Sequence, residues 1–482
     1  MLKNYINNQW LCSLGLESQA IINPSTGEEC ERCPLSNKQD VNNAVEAAHA
    51  AFFGWRRTPV AERVQYLFKI KTKLEQNLSE LAELITREHG KILLESKAEV
   101  RRAIQMIDTA CGMPSLMMGH NVEDVAVGID CSSYRQPMGV FAGITPFNFP
   151  LMVPCWFWPF AIASGNTFVL KPSERVSMSA VRLFELLEQV ALPKGVMNLV
   201  LGSQEAANAL ITHPDIKGIS FVGSTPVAKH IYQEGSKTGK RVQALGGAKN
   251  FMVVLPDAVN NDTVSTCVES IIGCAGQRCL AGSVIIGVGE AYERLLAKIV
   301  EKASQIRIGN GLNPEATMGP LISSQAVSRV KNLIQSGIDE GARLMLDGRS
   351  YTGPGYFLAP TVFADVLPHM RIAQEEIFGP VICLGHVSSL DEAIAWINSS
   401  PFGNTASLFT DSGSAARKFG YEAHPAMLGL NIGVPAPMAF FSFGGSKDSF
   451  FGDIKAHGAQ SVNFFTDSKI IIQRWNQLSN IW

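Results

Sequence analysis

Short apolar runs alternate with amphipathic helical stretches from Met138 onward, and this alternation constrains the fold more than any other feature. Strands that are separated by helices pair in parallel through right-handed crossovers. The predicted strands cover residues 139–144, 167–170, 197–200, 219–222, 252–255 and 284–286. The predicted helices cover residues 177–190, 204–211, 227–236, 262–272 and 292–304. We therefore expect an α/β fold with two doubly wound domains.

The two ends of the chain follow other patterns. Helical periodicity near the amino terminus predicts helices at residues 40–55, 60–89 and 93–118. The tail, residues 458–482, is rich in strand formers, with apolar runs at 462–465 and 470–472. An apolar terminal strand can pair with a second subunit or form the edge of its own domain, and the sequence favours neither. A chain of 482 residues is too long for one core, so two or three domains are expected.

Composition and charge exclude several classes of function. A net charge of −2 gives no electrostatic basis for binding nucleic acid or an acidic membrane surface. The most apolar stretch, residues 147–163, carries three prolines, so we expect a buried element there and no membrane span. Residues 1–5 lack a signal-peptide pattern, and ten cysteines without disulfide spacing suit a reducing cytoplasm. The single C-x-x-C pair, Cys30 and Cys33, has no second pair of ligands, so no metal site is expected.

Cys279 has the sequence context of a nucleophile. It lies among small residues in Gly-Gln-Arg-Cys-Leu-Ala-Gly (276–282), directly after Arg278. The thiolate is the reactive form of cysteine, and a neighbouring cation favours it. Upstream, residues 235–256 contain no aspartate or glutamate. A cysteine that releases its acyl group to water needs a nearby base. Without one, we expect the acyl group to leave on another nucleophile, such as a thiol.

Two motifs at strand ends have the composition of a nucleotide site. In Lys-Pro-Ser-Glu (171–174), Lys171 and Glu174 can hold the two hydroxyls of an adenosine ribose, and the carboxylate favours NAD over NADP. A surface turn with one ion pair is the preferred interpretation of that motif alone. In Phe-Val-Gly-Ser-Thr (221–225), Ser224 precedes a helix start whose N–H groups can bind a phosphate. Alone, it is better explained by an ordinary strand–helix turn with a Ser/Thr cap.

Two further motifs place polar groups beside rigid turns. Asn148 lies in a loop bracketed by prolines, Thr-Pro-Phe-Asn-Phe-Pro (145–150), and a rigid amide can stabilise an oxyanion. A structural turn asparagine has the same signature. In Glu-Glu-Ile-Phe-Gly-Pro-Val (375–381), a carboxylate can hold a ribose while the phenylalanine flanks a flat ring. A helix-to-strand junction also explains that segment.

In this order and spacing, the motifs resemble the NAD-dependent aldehyde dehydrogenase superfamily over almost the whole chain. The resemblance implies that Cys279 is the nucleophile and that Asn148 joins the Cys279 backbone N–H in an oxyanion hole. It implies an adenosine-ribose site at Lys171 and Glu174 and a pyrophosphate contact at Ser224. It also implies a nicotinamide-ribose site at Glu376 and Phe378. The complete set of residues that it assigns to NAD is Thr145, Phe147, Lys171, Glu174, Ser224, Glu376 and Phe378.

The resemblance is sharper to the CoA-acylating methylmalonate-semialdehyde dehydrogenase branch of that superfamily. It rests on residues 134–140, 243–250, 275–279 and 441–452. Hydrolytic members place a general-base glutamate 34 positions before the nucleophile, where this chain has Leu245. The branch more often has a polar residue there, so Leu245 is a departure. Substrates of this branch carry a second carboxylate, for which the resemblance implies Arg102 and Arg278. A solvated helix face is the alternative for Arg102.

The implied reaction oxidises methylmalonate or malonate semialdehyde with NAD, releases CO2 and transfers the acyl group to CoA. Propionyl-CoA or acetyl-CoA and NADH would be the other products. One alternative is a hydrolytic semialdehyde dehydrogenase that produces a free acid. Another is a non-catalytic NAD-binding or structural protein, against which Cys279, Asn148 and Glu376 argue together.

The resemblance also implies a domain organisation. Residues 1–250 would form the NAD-binding domain, with a β-hairpin near 120–138 that serves oligomerisation. Residues 251–445 would form the catalytic domain, and residues 446–482 a carboxyl-terminal oligomerisation segment. A homo-oligomer, either a dimer or a tetramer, is expected on this basis, without a nucleic-acid or membrane partner.

Overall fold

A computed structural model describes residues 1–475 of the chain. The strands are β1 Asn4–Ile6, β2 Gln9–Leu11, β3 Ser18–Ile22, β4 Glu29–Pro34, β5 Asn121–Ala126, β6 Ile129–Pro137, β7 Val140–Ile144, β8 Thr167–Lys171, β9 Met197–Leu199, β10 Ile216–Val222, β11 Arg241–Leu245, β12 Phe251–Val254, β13 Val284–Val288, β14 Arg343–Leu346, β15 Thr361–Ala364, β16 Val381–Val387, β17 Phe402–Gly403, β18 Thr405–Phe409, β19 Met427–Leu430, β20 Ser446–Lys447, β21 Phe450–Phe451 and β22 Thr466–Arg474. The α-helices are α1 Lys38–Trp55, α2 Val60–Gln76, α3 Leu78–His89, α4 Leu93–Cys111, α5 Met113–Leu116, α6 Trp158–Ala163, α7 Met178–Glu188, α8 Gln204–Thr212, α9 Thr225–Lys237, α10 Asn261–Ile272, α11 Ala291–Ser304, α12 Ser324–Asp339, α13 Arg371–Gln374, α14 Leu390–Ser399, α15 Gly413–Glu422 and α16 Gly458–Phe465.

The first large sheet has eight strands in the order β2-β1-β9-β8-β7-β10-β11-β21. Its five central strands are parallel, and β1 and β21 join them antiparallel at the two sides. The chain runs outward from β7 through β8 to β9, and β10 then returns to the other side of β7. A crevice opens at such a reversal, beyond the carboxyl ends of the strands. The sheet therefore places a ligand site at the end of β7.

The second large sheet has seven strands in the order β14-β15-β16-β13-β12-β18-β19. All neighbours in it are parallel except β14 and β15. The central strands β12 and β13 are fully buried and read as continuous apolar runs, as expected for strands covered by helices on both faces. Cys279 lies between α10 and β13. The predicted α/β fold with two doubly wound sheets is confirmed.

Two predicted helices are each divided by a single residue, Asn77 in one and Gly112 in the other. The single helix predicted at 60–89 is wrong, because α2 ends before Asn77 and α3 begins after it. The Asn77 side chain donates a hydrogen bond to the Lys73 carbonyl at 2.7 Å, an alternative that short polar side chains offer to the backbone. The helix predicted at 93–118 also divides, at Gly112, into α4 and the one-turn α5.

The strand predicted at 462–465 is wrong, because these residues form the end of α16. Short apolar runs do not distinguish a strand from a buried helix. Packing decides the outcome here, since the ring of Phe465 contacts that of Phe141 with centroids 4.9 Å apart, and Phe464 lies 5.7 Å from the same ring. The run at 470–472, in contrast, lies within β22 as predicted.

A separate three-stranded sheet joins the predicted hairpin to the carboxyl-terminal strand, in the order β22-β6-β5. β22 pairs antiparallel with β6 over nine residues, from Thr466 opposite Pro137 to Arg474 opposite Ile129. Several large apolar side chains on this sheet are exposed: Val122, Val125, Tyr134, Ile470 and Ile472. Its use in oligomerisation stays a prediction, and residues 476–482 of the predicted segment lie outside the described residues.

Candidate active site

A cleft of about 830 Å³ opens where the first sheet reverses its strand order. Residues at the carboxyl ends of β7, β8 and β10 form its floor, and a segment after α13 covers one side. The sequence-predicted residues that line it are Thr145, Phe147, Asn148, Lys171, Glu174, Ser224, Glu376, Phe378 and Cys279. Folding therefore brings together all seven residues predicted to bind a nucleotide, the predicted nucleophile Cys279 and the predicted oxyanion residue Asn148.

One end of the cleft carries the predicted lysine–carboxylate pair. Lys171 Nζ lies 3.3 Å from Glu174 Oε2, and the lysine side chain is 6% exposed whereas that of Glu174 is 24% exposed. The Lys171 carbonyl accepts a hydrogen bond from the Thr145 N–H at 3.1 Å, which ties the ends of β8 and β7 together. The lysine is thus buried under its partner, and the pair can accept from and donate to two neighbouring hydroxyls.

Ser224 occupies the N-cap position of α9, but its side chain makes no capping hydrogen bond. The sequence alone favoured a structural role for Ser224 as a helix cap, but the capping hydrogen bond is not formed. Thr225 makes the local contact instead, since its Oγ1 accepts from the Gly247 N–H at 2.9 Å. Ser224 is exposed and lines the cleft together with Pro226 and Val227, at the start of a helix, where an anion is stabilised.

Glu376 lies at the other end of the cleft. Its Oε1 accepts from the Ala248 N–H at 3.0 Å, and burial raises the pKa of its carboxyl to about 7. The adjacent backbone is held by Arg329, which donates to the Glu376 and Ile377 carbonyls. Phe378 has a left-handed backbone with φ 53°, and its ring meets that of Phe147 edge to face at 5.9 Å. Both rings line the cleft together with Glu376.

A left-handed turn delivers Cys279 to the cleft. The three residues Cys274, Ala275 and Gly276 have φ values of 50°, 52° and 76°. A side chain on Gly276 would meet the Gly379 carbonyl oxygen at 2.2 Å, so only glycine fits there. Such conformations are costly for residues other than glycine and persist when the surroundings fix them. No pattern in the sequence predicted this turn.

Two asparagine amides fix the nucleophile's own backbone. The Nδ2 atoms of Asn250 and Asn404 each donate to the Cys279 carbonyl oxygen at 2.9 Å. Burial raises the pKa of the Cys279 thiol to about 12, although the N–H groups of Cys279 and Leu280 face the sulfur and oppose the rise. Asn404 lies in no motif that sequence analysis recognised. Asn250 appeared only inside a segment of the family resemblance.

Arg278 binds the end of α10 in addition to lying beside Cys279. Its Nη2 donates to the carbonyls of Glu269 and Ser270, at 2.6 and 3.1 Å, in the last turn of α10. The guanidinium packs where a Gly273 side chain would otherwise lie. Cations at this position stabilise the carboxyl end of a helix. Arg278 lowers the pKa of the Cys279 thiol, as its position in sequence suggested, but burial outweighs this effect and the net pKa is raised.

A buried ion pair positions the loop that carries Asn148. Lys91 Nζ lies 2.8 Å from Glu99 Oε2 and donates to the Asn148 carbonyl at 2.5 Å, and neither charged side chain is exposed. The other Glu99 oxygen accepts from the N–H groups of Leu151 and Met152. The Asn148 side chain donates to the Gln277 carbonyl at 2.9 Å, next to the nucleophile. Sequence analysis missed Lys91 and Glu99, because no local pattern separates them from surface charges.

A second cavity, of about 190 Å³, meets the cleft at Cys279. Most of its wall is apolar, but both predicted substrate arginines, Arg102 and Arg278, line it. Arg102 donates to the Pro437 carbonyl at 2.6 Å, so it is held against the loop opposite α4 and is not a solvated surface residue. The lining of this cavity also includes Glu95, Met106, Trp156, Phe443 and His457.

Leu245, which occupies the position of the general base in hydrolytic members, is buried away from both cavities. Leu245 is 4% exposed and packs in the hydrophobic core, and it lines neither the cleft nor the second cavity.

Glu95 is a carboxylate residue in the wall of the second cavity. Glu95 accepts from the Cys274 N–H through Oε1 at 2.7 Å, while its buried Oε2 has no hydrogen-bond partner among the described residues. Sequence analysis did not consider Glu95, which lies 184 positions before the nucleophile.

The family model that matches this chain is described as the aldehyde dehydrogenase family and covers residues 10–471. The chain belongs to the aldehyde dehydrogenase family. This aldehyde dehydrogenase is 49% identical to the malonate-semialdehyde dehydrogenase of Bacillus pumilus (strain SAFR-032) over 98% of both chains.

Two solved structures have the same fold. The methylmalonate-semialdehyde dehydrogenase of Oceanimonas doudoroffii is 41% identical, with a TM-score of 0.97 over 99% of both chains. A structure from Sinorhizobium meliloti 1021, complexed with NAD, is 40% identical with a TM-score of 0.97, over 100% of this chain and 98% of that one. Family membership makes the chain an oxidoreductase and confirms the resemblance that the motifs indicated.

Two features are absent from the described part of this aldehyde dehydrogenase. Within residues 1–475, no helix combines the length and apolar character that crossing a membrane requires. The same residues contain no group of three or more histidine, cysteine, aspartate or glutamate side chains that could hold a metal ion.

Proposed function

We propose that this enzyme oxidises methylmalonate semialdehyde and malonate semialdehyde with NAD, releases CO2 and transfers the acyl group to CoA. The observation that carries the proposal is the place of Cys279, at the junction of a dinucleotide-sized cleft and a mostly apolar cavity with two arginines. The 49% identity to a malonate-semialdehyde dehydrogenase supports the same substrate class. Propionyl-CoA or acetyl-CoA would be the thioester product.

The cleft fits NAD residue by residue. Lys171 and Glu174 would bind the adenosine ribose, Ser224 and the start of α9 the pyrophosphate, and Glu376 the nicotinamide ribose. Thr145, Phe147 and Phe378 would then line the nicotinamide end of the cleft. When bound, NAD supplies the hydride acceptor for oxidation of the aldehyde. The carboxylate of Glu174 disfavours a 2′-phosphate, which is the reason to propose NAD over NADP.

Cys279 would attack the aldehyde carbonyl and form a thiohemiacetal, with the thiol proton released. The Asn148 amide has two N–H donors, and one already binds the Gln277 carbonyl. The other, with the Cys279 backbone N–H, would donate to the oxygen that becomes negative during attack. Oxidation of the thiohemiacetal would leave an acyl thioester on Cys279.

The second cavity would then direct the fate of that thioester. Arg102 and Arg278 line the cavity, where a guanidinium can bind the far carboxylate of the substrate. A carboxylate β to a thioester carbonyl can leave as CO2, because the carbonyl accepts the electron pair and the carbon is later protonated. The thiol of CoA would remove the remaining acyl group by attack on the carbonyl and return Cys279 as a thiol.

We also propose the domain organisation and cellular setting that the sequence suggested. The first large sheet takes most of its strands from residues 1–250 and the second takes all of its strands from 251–445, which supports that division. The exposed apolar side chains of the sheet β22-β6-β5 support assembly into a dimer or tetramer through residues 120–138 and 446–482. All ten cysteines are free thiols, which supports a cytoplasmic location.

The test of the proposed function is the stoichiometry of NADH release with malonate semialdehyde. Without CoA, we expect a burst of about one NADH per subunit and little further turnover, because the acyl group stays on Cys279. Addition of CoA should convert the burst to steady turnover, with acetyl-CoA found by mass spectrometry. Steady turnover without CoA would contradict the acyl-transfer proposal.

A hydrolytic semialdehyde dehydrogenase is the second candidate, and one observation favours it. The buried Glu95 Oε2 has no partner among the described residues, so this carboxylate could activate a water molecule in the cavity that holds Cys279. If CoA-independent turnover is observed, the variant Glu95→Gln separates two explanations. Loss of that turnover in the variant would support Glu95 as the base, and its persistence would exclude this role.

Binding of NAD should depend on the ionisation of Glu376. Because burial raises the pKa of this carboxyl to about 7, it is largely protonated at pH 6 and loses acceptor capacity for the ribose hydroxyls. We expect NAD to bind about tenfold more weakly at pH 6 than at pH 8, as measured by calorimetry. Glu376→Gln should bind weakly at both pH values.

The matched control for this prediction is Glu375→Gln. Glu375 is exposed and its carboxylate contacts Arg371 at 2.9 Å, outside the cleft. This variant should keep the wild-type pH dependence. An equally strong pH dependence in Glu376→Gln would show that another group is responsible.

A further inference from the structure

His457 lies in the wall of the cavity that holds Cys279, and none of the roles above uses it. The residue is 1% exposed. Its ring packs edge to face against Trp156, with centroids 4.8 Å apart, and lies 5.4 Å from the ring of Phe443. All three side chains line the cavity, together with Arg102 and Cys279. His457 therefore lines the proposed substrate cavity just as Arg102 and Arg278 do.

Neither ring nitrogen of His457 has a hydrogen-bond partner among the described residues, and both are buried. Buried polar groups without partners are rare, because each one gives up its bonds to water. A second buried histidine, His89, has one partner, because its Nδ1 accepts from the Lys91 N–H at 3.2 Å, while its Nε2 has none among the described residues. A histidine that only filled space between two aromatic rings would be replaced without loss by an apolar residue. The free nitrogens therefore point to a ligand in the cavity.

The backbone of His457 gives independent support. Its φ of 72° and ψ of 167° lie in a region that residues other than glycine rarely adopt. The conformation is fixed on both sides, since Phe443 and Ala456 exchange two backbone hydrogen bonds and the Gly458 N–H donates to the Ala439 carbonyl. Strained residues of this kind concentrate at sites that bind or react. The strain here places the imidazole against the cavity.

The imidazole is neutral at physiological pH. Burial, with the nearby charge of Arg102, lowers the pKa of His457 to about 3. A neutral imidazole has one N–H donor and one acceptor nitrogen. It can therefore add a hydrogen bond for an anion without adding a charge to a cavity that already contains two arginines.

Arg102 and Arg278 both already donate hydrogen bonds to backbone carbonyls. One nitrogen of Arg102 donates to the Pro437 carbonyl, and one nitrogen of Arg278 donates to two carbonyls of α10. A carboxylate offers about four lone-pair sites, so additional donors stabilise it. We infer that His457 determines substrate specificity, because its ring N–H donates to the far carboxylate of the semialdehyde beside Arg102. The inference rests on the proposed function and names a third residue for the same substrate group.

The experiment compares two aldehydes in His457→Phe and His457→Asn with NAD and CoA present. Propanal lacks the far carboxylate, whereas malonate semialdehyde carries it. His457→Phe keeps an aromatic ring between Trp156 and Phe443 but removes the donor, so kcat/KM for malonate semialdehyde should fall about 10- to 100-fold. The value for propanal should change by less than about twofold. His457→Asn, which retains an N–H donor, should recover most of the loss.

Each of the following outcomes would overturn the inference. Equal losses with both aldehydes would show that His457 only supports the fold, as would a thermal midpoint that falls in step with activity. No loss with either aldehyde in His457→Phe would show that the free nitrogens do not meet the substrate. If the wild-type enzyme does not prefer malonate semialdehyde to propanal, the proposed function fails and this inference fails with it. A wild-type preference that survives in His457→Phe overturns the inference alone.

Discussion

Replacement of Cys279 by serine should lower kcat by about 10⁴-fold or more, with NAD binding unchanged. A serine hydroxyl is a far weaker nucleophile than a thiol. Among residues 1–475, no histidine of the cleft or the cavity forms a hydrogen bond with Cys279, so none is placed to activate a serine there. The measurement is NADH formation by stopped-flow, in which the burst should disappear together with steady turnover. A retained burst in Cys279→Ser would exclude this residue as the acyl carrier.

The reactivity of the wild-type thiol provides a second measurement on the same residue. Because burial raises the pKa of Cys279 to about 12, the thiolate is scarce at pH 7 and its fraction rises tenfold for each pH unit up to that value. Alkylation by iodoacetamide should follow that slope in the absence of NAD. We expect NAD to accelerate the reaction at pH 7, since its cationic nicotinamide would lie at the end of the cleft that Cys279 lines. The same rate with and without NAD would contradict this placement of the nicotinamide.

Replacement of Lys91 by methionine should destabilise the protein by about 3–5 kcal/mol, because it leaves the Glu99 carboxylate buried without its cation. The change also removes the donor to the Asn148 carbonyl, so the oxyanion amide loses its support. A displacement of this kind should lower kcat about 10- to 100-fold, even in protein that remains folded at the assay temperature. Urea unfolding measures the first effect, and the amplitude and rate of the NADH burst measure the second.

The control for Lys91→Met is Lys71→Met. Lys71 forms an ion pair with Asp108 at 2.6 Å, but the two side chains are 28% and 56% exposed. Removal of an exposed pair costs about 0–1 kcal/mol, so this variant should unfold and react nearly as the wild type does. If both variants lose similar stability, burial is not the cause. If Lys91→Met loses stability but keeps the wild-type burst rate, the pair supports the core and does not position Asn148.

The sequence predicted well those features that depend on short segments. The strands around β7, β8 and β10 follow from apolar runs of four to seven residues, and the loops after them carry the residues that line the cleft. Parallel strands share one carboxyl edge, so residues far apart in sequence meet there. The same local evidence failed at 462–465, where burial against Phe141 and not the apolar pattern decided for a helix.

The role of each charged residue in the site depended on tertiary structure. From the sequence, Arg278 was a cation beside a thiol, but its guanidinium caps α10, and burial governs the pKa of Cys279. Lys91 and Glu99 have no local signature, yet folding removes both from water and places them under the oxyanion loop. The burial of a side chain and its hydrogen-bond partners depend on the folded structure, because they are set by segments that lie tens to hundreds of positions apart in sequence.

By itself, the sequence determined the α/β architecture, the family, the candidate nucleophile and the residues that line the cleft, since each depends on periodicity or on a short motif. Tertiary structure alone decided that Cys279 joins two cavities, that Lys91 contacts the Asn148 loop, and that both ring nitrogens of His457, in the wall of the second cavity, are buried without a partner among the described residues. The physical reason is that solvation, pKa and hydrogen-bond satisfaction are properties of an environment. That environment exists only after both sheets have folded and closed around Cys279.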